Sequence, residues 1–92
     1  MSDLYSTQPE QITLYGTSWC GDCRRARRLL AEKGVVYRDI DIDTDEKAEA
    51  FVKQINRGNR SVPTILFPDG SYLVEPDNLT LTQKLTELHK TA

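Results

Sequence analysis

Short apolar runs alternate with amphipathic stretches along the first third of this chain. The run Ile12-Thr13-Leu14-Tyr15 predicts a β-strand that ends at Gly16. Further on, apolar residues recur at helical spacing while arginines occupy the opposite side, which predicts an amphipathic helix that ends at Lys33-Gly34. The apolar positions of that helix are Cys23, Ala26, Leu29 and Leu30.

The middle of the chain predicts a second strand and a second helix. β-Branched residues and later strict alternation over 35–42 indicate a strand. Asp43 is expected to cap the next helix, with Glu46 in the capping-box position. The helix is expected to end at 56–58. Its apolar stripe is Ala48, Phe51, Val52 and Ile55.

The last third predicts a hairpin followed by a helix. Pro68-Asp69-Gly70 is a tight turn between the strands 64–67 and 72–74. A capping box over 80–83 is expected to open the final helix, whose apolar residues are Leu81, Leu85 and Leu88. The order β-α-β-α-β-β-α predicts an α/β fold with a four-stranded mixed sheet and three helices on its two faces.

Size, charge and composition restrict the classes of function. Ninety-two residues make one domain, which we expect over 11–92 after a flexible polar leader over 1–10. A net charge of −2 with both signs interspersed gives no support for nucleic-acid or membrane partners. The chain shows no apolar run of membrane-spanning length and no signal-peptide pattern, so we expect a cytoplasmic location. His89 lacks companions for a metal site.

The chemistry concentrates in Cys20-Gly21-Asp22-Cys23, which contains both cysteines of the chain. The predicted strand precedes this segment and the predicted helix follows it. A sulfur at a helix N-terminus meets unpaired N–H groups and the positive end of the helix dipole, which favour the reactive thiolate. A disulfide across two intervening residues removes little chain entropy, so the two cysteines indicate a redox centre and not a structural staple.

Three segments together resemble a known family. Thr17–Cys23, the segment Asn59-Arg60-Ser61-Val62-Pro63-Thr64 and the turn 68–70 are similar to the glutaredoxin-like branch of the thioredoxin superfamily, and most similar to the mycoredoxins of actinobacteria. The resemblance spans about residues 11 to 88. It implies the thioredoxin/glutaredoxin-like fold and the activity of a disulfide oxidoreductase.

The resemblance also implies roles for residues around the two cysteines. Cys20 is expected to attack a disulfide, and Cys23 either resolves the product or is dispensable in a monothiol route. Trp19 either offers a flat apolar surface to a partner or packs against its own loop. Pro63 is expected to be cis and to face Cys20, with the backbone of Val62 pairing with a disulfide-bonded peptide.

Recognition of the small thiol is expected to involve Arg57, Arg60 and Asp77. Glutaredoxins bind the carboxylates of glutathione with basic residues before the proline segment and with a glycine-rich acidic turn before the last helix. Here Arg57 and Arg60 suit the first role unless they are merely solvated charges. The segment 75–78 has neither glycine, and the usual lysine before the first cysteine is missing. These departures favour mycothiol over glutathione as the co-substrate.

The resemblance therefore predicts an enzyme that reduces mixed disulfides between proteins and a low-molecular-weight thiol. Its expected partners are S-thiolated or disulfide-bonded proteins and a small thiol with its reductase. No tightly bound cofactor or metal is expected, and the chain is expected to act as a monomer. Two alternatives remain open at this stage. One is a hydrogen donor to ribonucleotide reductase or peroxiredoxin that depends on thioredoxin reductase, and the other is an iron-sulfur cluster carrier.

Overall fold

The computed structural model describes residues 6–91 and contains four strands and three helices within that range. In chain order these are β1 Ile12–Gly16, α1 Gly21–Glu32, β2 Tyr37–Asp41, α2 Glu46–Ile55, β3 Thr64–Leu66, β4 Tyr72–Val74 and α3 Asn78–Thr91. This order confirms the predicted α/β architecture. None of the described helices combines the length and apolar character that a membrane span requires.

The four strands form one mixed sheet in the order β2-β1-β3-β4. β1 and β2 are parallel, with Ile12 opposite Tyr37, because α1 connects them in a strand–helix–strand unit. β3 runs antiparallel to both β1 and β4, with Leu14 opposite Ile65. Because β1 and β2 are parallel, their carboxyl ends lie at the same end of the sheet, and the loop that follows β1 starts there.

The alternation of side chains along β1 separates two apolar clusters on opposite faces of the sheet. Leu14 packs with α1 and α3, and Tyr15 packs with α2. The α2 cluster also contains both cysteines and Val62, so the candidate site is continuous with this part of the core. The apolar stripe predicted for α3 lies in the other cluster, where Leu81 is fully buried and Leu85 and Leu88 are partly buried.

Two strands are shorter than predicted. β2 begins at Tyr37 and not at residue 35, because its pairing with β1 starts where Ile12 meets Tyr37. Val36 precedes that pairing and is 73% exposed. β3 ends at Leu66, since Phe67 already belongs to the turn and accepts the Gly70 N–H.

Two helix starts also differ from the predictions. Asp45, not Asp43, caps α2, since its carboxylate accepts the Ala48 N–H at 3.0 Å. Asp43 is unavailable because its carboxylate contacts side chains of the candidate site. α3 begins at Asn78, ahead of the predicted capping box, and Asp77 accepts the Thr80 N–H at 2.7 Å.

The expected leader 1–10 lies partly outside the described residues. Within 6–10, the Gln8 N–H donates to the Ser6 hydroxyl at 3.0 Å, and Pro9 is buried. The flexibility of this segment and the domain bounds 11–92 stay predictions.

Candidate active site

Cys20 occupies the N-cap of α1. β1 ends at Gly16, and the following loop delivers Cys20 in an extended conformation, with φ −83° and ψ 119°. Its Sγ accepts the backbone N–H of Cys23 at 3.2 Å. An N–H at a helix N-terminus stabilises negative charge, and the helix dipole adds to that effect. The fold therefore places the sulfur of the first cysteine at the start of α1, in contact with a backbone N–H.

The Val62–Pro63 segment lies opposite Cys20. The Val62–Pro63 peptide bond is cis. The Cys20 thiol lies 3.8 Å from the Val62 carbonyl oxygen, within reach of an S–H···O hydrogen bond. The resemblance predicted both the cis bond and the proximity.

An open groove of about 500 Å³ runs over Cys20. Its lining residues come from the loop before α1, the start of α1, the segment before the cis bond and the end of β4. They are Trp19, Cys20, Gly21, Asp22, Arg60, Ser61, Val62 and Glu75. Cys20 itself is only 9% exposed, so a disulfide must enter this groove to meet its sulfur.

Cys23 lies one turn along α1 and is completely buried. Burial, followed by the hydrogen bond with Cys20, raises the pKa of the Cys23 thiol to about 12. A backbone hydrogen bond at Thr17 and the charge of Arg27 act in the opposite direction. The two cysteines are therefore chemically unequal, since one borders the groove and the other is held as a neutral thiol beneath it.

Gly16 allows α1 to pack closely on the end of β1. A Cβ at this position would lie 2.9 Å from the Cys23 Sγ and 3.1 Å from an Arg27 nitrogen. Arg27 is anchored there, because one guanidinium nitrogen donates to the Thr17 carbonyl at 3.1 Å and another lies 2.9 Å from the Asp39 carboxylate. This packing fixes the position of Cys23 relative to the loop that carries Cys20.

A polar network supports one wall of the groove. The indole N–H of Trp19 donates to the Asp43 carboxylate at 2.8 Å, although the ring is 63% exposed. The guanidinium of Arg60 contacts the carboxylates of both Asp43 and Glu49. Trp19 thus keeps an exposed apolar face at the groove, and its N–H is already bonded.

The remaining predicted site residues lie elsewhere. Arg57 follows the last turn of α2 with a left-handed φ of 55°, and Asp77 stands at the start of α3. Neither is among the described residues that line the groove. The Thr80 hydrogen bonds hold the pKa of the Asp77 carboxyl below its ordinary value. Arg60 does line the groove, but two carboxylates already engage it.

The groove also contains residues that sequence reasoning did not select for binding. Gly21, Asp22 and Ser61 adjoin predicted site residues in the sequence, so their presence follows from the same segments. Glu75 is different, because it reaches the groove from the end of β4, more than fifty positions after Cys20. The sequence signal for Glu75 was the absence of the glycines that glutaredoxins have in this segment. Glu75 adopts a left-handed φ of 49°, a conformation that favours glycine, so it stands where a glycine would be expected.

Comparison with known proteins agrees with this geometry. The family model for glutaredoxin matches residues 12–73, which include both cysteines and the cis-proline segment. The chain belongs to the glutaredoxin family. It is a glutaredoxin-like disulfide oxidoreductase.

Two curated relatives of this glutaredoxin come from actinobacteria. A candidate glutaredoxin of Mycobacterium tuberculosis, Rv3198A, is 40% identical over 77 residues, which cover 84% of this chain and 92% of that one. Mycoredoxin 1 of Corynebacterium glutamicum is 43% identical over 65 residues, which cover 71% and 80% of the two chains. Among solved structures, wheat glutaredoxin superposes with a TM-score of 0.72 at 21% identity, over 94% of this chain and 85% of that one, and so supports the fold.

Proposed function

We propose that this glutaredoxin reduces mixed disulfides between proteins and a low-molecular-weight thiol, with mycothiol preferred to glutathione. The observation that carries the proposal is the position of the Cys20 sulfur. It accepts an N–H at the start of α1 and borders the open groove, 3.8 Å from the Val62 carbonyl. A sulfur in this setting is suited to act as a nucleophile toward a disulfide that enters the groove.

In the first step, the Cys20 thiolate attacks the small-thiol sulfur of the mixed disulfide. A new S–S bond joins Cys20 to the small thiol, the original S–S bond breaks, and the protein leaves as a thiolate that takes a proton from water. The client protein has then been released in its reduced form. The backbone of Val62, beside the cis-proline, is proposed to align the disulfide for this attack.

The second step has two routes. A second small thiol can attack the mixed disulfide on Cys20, which restores the Cys20 thiolate and yields the oxidised small thiol for its own reductase. Alternatively, Cys23 attacks Cys20, expels the small thiol and forms the Cys20–Cys23 disulfide. Burial is the largest cause of the raised pKa of Cys23, and it remains when Cys20 is bonded to the small thiol. Cys20 then no longer raises this pKa further through its charge or by accepting a hydrogen bond from the Cys23 thiol, so the resolving thiolate is easier to form than in the reduced protein.

The preference for mycothiol rests on the ion pairs of the arginine that lines the groove. Glutathione presents carboxylates, and an arginine that binds them must be free to do so. Arg60 is the arginine of the groove, and Asp43 and Glu49 already neutralise it. The head group of mycothiol carries sugar hydroxyls and does not require a free cation. The similarity to Mycoredoxin 1 also supports mycothiol as the preferred thiol. The proposed setting is the cytoplasm, where dithiols are kept reduced.

A rate comparison tests the proposal. One peptide substrate is capped in turn with mycothiol, glutathione or bacillithiol, and its reduction is followed with the wild type, Cys20→Ser and Cys23→Ser proteins. We expect the mycothiol-capped peptide to react fastest, Cys20→Ser to be inactive, and Cys23→Ser to retain turnover when the free small thiol is supplied. Reduction of the peptide by Cys20→Ser would overturn the mechanism, and faster reaction of the glutathione-capped peptide would overturn the preference.

A further inference from the structure

Glu75 presents an exposed carboxylate at the groove that contains Cys20. Its backbone N–H donates to the Pro63 carbonyl at 2.8 Å, so the end of β4 is fixed directly beside the cis-proline segment. Glu75 adopts a left-handed φ of 49° at this point, where the chain leaves β4. The side chain is exposed and contributes to the lining of the groove.

The other charged residues of the groove have ionic partners. Asp22 lies 3.2 Å from Arg25, and Arg60 is held between Asp43 and Glu49. Among the ion pairs of the described residues, none includes Glu75. Within the described part of the chain, the groove therefore has one carboxylate without an ion-pair partner, and this carboxylate belongs to a residue that lines the same groove as Cys20.

We propose that Glu75 is a specificity residue that selects client proteins with a lysine or arginine close to their disulfide-bonded cysteine. This inference rests on the proposed function, because it names the preferred side chains of the protein that Cys20 reduces. A basic residue near the client's sulfur forms an ion pair with Glu75, whereas an acidic residue is repelled by the same carboxylate.

The position of Glu75 favours a polypeptide over a small amine as the source of that cation. Ser61 and Val62 line the groove as a segment outside the strands, and Glu75 is joined to the next residue, because its N–H donates to the Pro63 carbonyl. A client peptide whose cysteine is bound at Cys20 and whose backbone runs along Ser61 and Val62 brings the side chains next to that cysteine close to the Glu75 carboxylate. The groove is open and has a volume of about 500 Å³, so it admits more than one residue.

Three heptapeptides test the inference, each with a central cysteine capped by the same small thiol and flanked by lysine, serine or glutamate. With the wild type at low salt, we expect kcat/KM to fall from the lysine to the serine to the glutamate peptide, with a ratio of about fivefold between the extremes, as for one exposed ion pair. Salt should reduce this ratio. Glu75→Gln should bring it close to one, and Glu75→Lys should reverse the order.

Glu87 provides the matched control, since it is an exposed carboxylate on α3 outside the groove. Glu87→Gln and Glu87→Lys change the net charge by the same amounts and should leave the ratio at its wild-type value. A preference that survives in Glu75→Gln, or that shifts equally in the Glu87 variants, would overturn the role of Glu75. Failure of the wild type to reduce even the serine peptide would instead overturn the proposed function. If a disulfide of a small aminothiol, without any peptide, showed the same Glu75-dependent rate ratio, the cation would not need to come from a polypeptide.

Discussion

The indole N–H of Trp19 donates a 2.8 Å hydrogen bond to the carboxylate of Asp43, a residue 24 positions further along the chain. This bond joins the loop before α1 to the segment between β2 and α2. Because Asp43 also contacts Arg60, it connects two residues that line the groove over Cys20. The carboxylate thus positions groove residues without lining the groove itself.

Removing the Asp43 carboxylate should loosen Trp19. Trp19 is the only tryptophan, so its fluorescence reports on that ring without interference. In Asp43→Ala we expect lower fluorescence anisotropy and a KM for a mixed-disulfide peptide that is about two- to fivefold higher, with kcat nearly unchanged, as for loss of an exposed polar contact. Asp43→Asn keeps an acceptor for the indole and should retain most of the anisotropy. Equal anisotropy in wild type and Asp43→Ala would contradict this role.

The two cysteines should differ sharply in alkylation. The pKa of Cys23 is raised to about 12, and its sulfur is buried, so thiolate is scarce at neutral pH. The reduced native protein should therefore take up one iodoacetamide at about pH 7.5, at Cys20, and a second only after unfolding. Peptide mass spectrometry locates the label, and Cys20→Ser should remain unlabelled while folded. Rapid native labelling of Cys23 would show that its environment is not as protective as described.

Gly16→Ala should destabilise the fold. The added methyl group would lie 2.9 Å from the Cys23 Sγ and 3.1 Å from Leu14, so the close packing of α1 on β1 would have to relax. We expect a loss of about 1–3 kcal/mol in the free energy of unfolding, the usual cost of overpacking. Gly21→Ala is the control, since nothing lies within 4 Å of its added Cβ. Urea titration measures both variants, and an equal stability of the two would refute the argument.

Asp69 should make stability depend on acid pH. Its hydrogen bonds with Lys84 and Ser71 hold the pKa of the Asp69 carboxyl well below the ordinary value of 3.8. Since the folded-state pKa is depressed, the contribution is fully present above pH 3.8 and is lost as pH falls through the lower folded-state pKa. Asp69→Asn should therefore cost roughly 0.5–1 kcal/mol at neutral pH, allowing for solvent screening.

The control for this prediction is pH itself. The Asp69→Asn variant keeps a side-chain acceptor for the turn but loses the charge that faces Lys84. The difference in unfolding free energy between Asp69→Asn and wild type should shrink steadily below pH 3.8. Urea titrations at about pH 7, 4 and 3 measure it. A difference that stays constant over this range would show that the carboxylate charge contributes nothing.

Much of the fold could be read from local patterns. The apolar stripe of α1 and the turn at Pro68-Asp69-Gly70 both use short-range signals, and both elements appear where they were predicted. Helix starts were less accurate, because several acceptors compete near each one. Asp43 is a good N-cap residue by type, but Asp45 performs that role, since Trp19 and Arg60 occupy the Asp43 carboxylate.

The candidate site likewise contains residues that the sequence predicts and residues that it does not. Cys20, Trp19 and Val62 belong to recognisable segments, and the structure brings all three to one groove. The resemblance predicts Arg57 and Asp77 as the basic and acidic residues that bind the head group of the small thiol, but neither is among the described residues that line that groove. Glu75 could not be selected by type, since its importance depends on a hydrogen bond to Pro63 that joins distant parts of the chain.

Residue types and spacing were sufficient to establish the pair of cysteines, the strand and helix that flank it, and the resemblance that includes Pro63. These features depend on neighbours within a few turns of chain, where spacing and local geometry are closely linked. The electrostatic state of the site required tertiary contacts. Coulombic and hydrogen-bond energies depend on distance in space. Only the folded chain therefore shows that Arg60 is neutralised, that Cys23 is held as a thiol, and that Glu75 lines the groove over Cys20 with no ion-pair partner among the described residues.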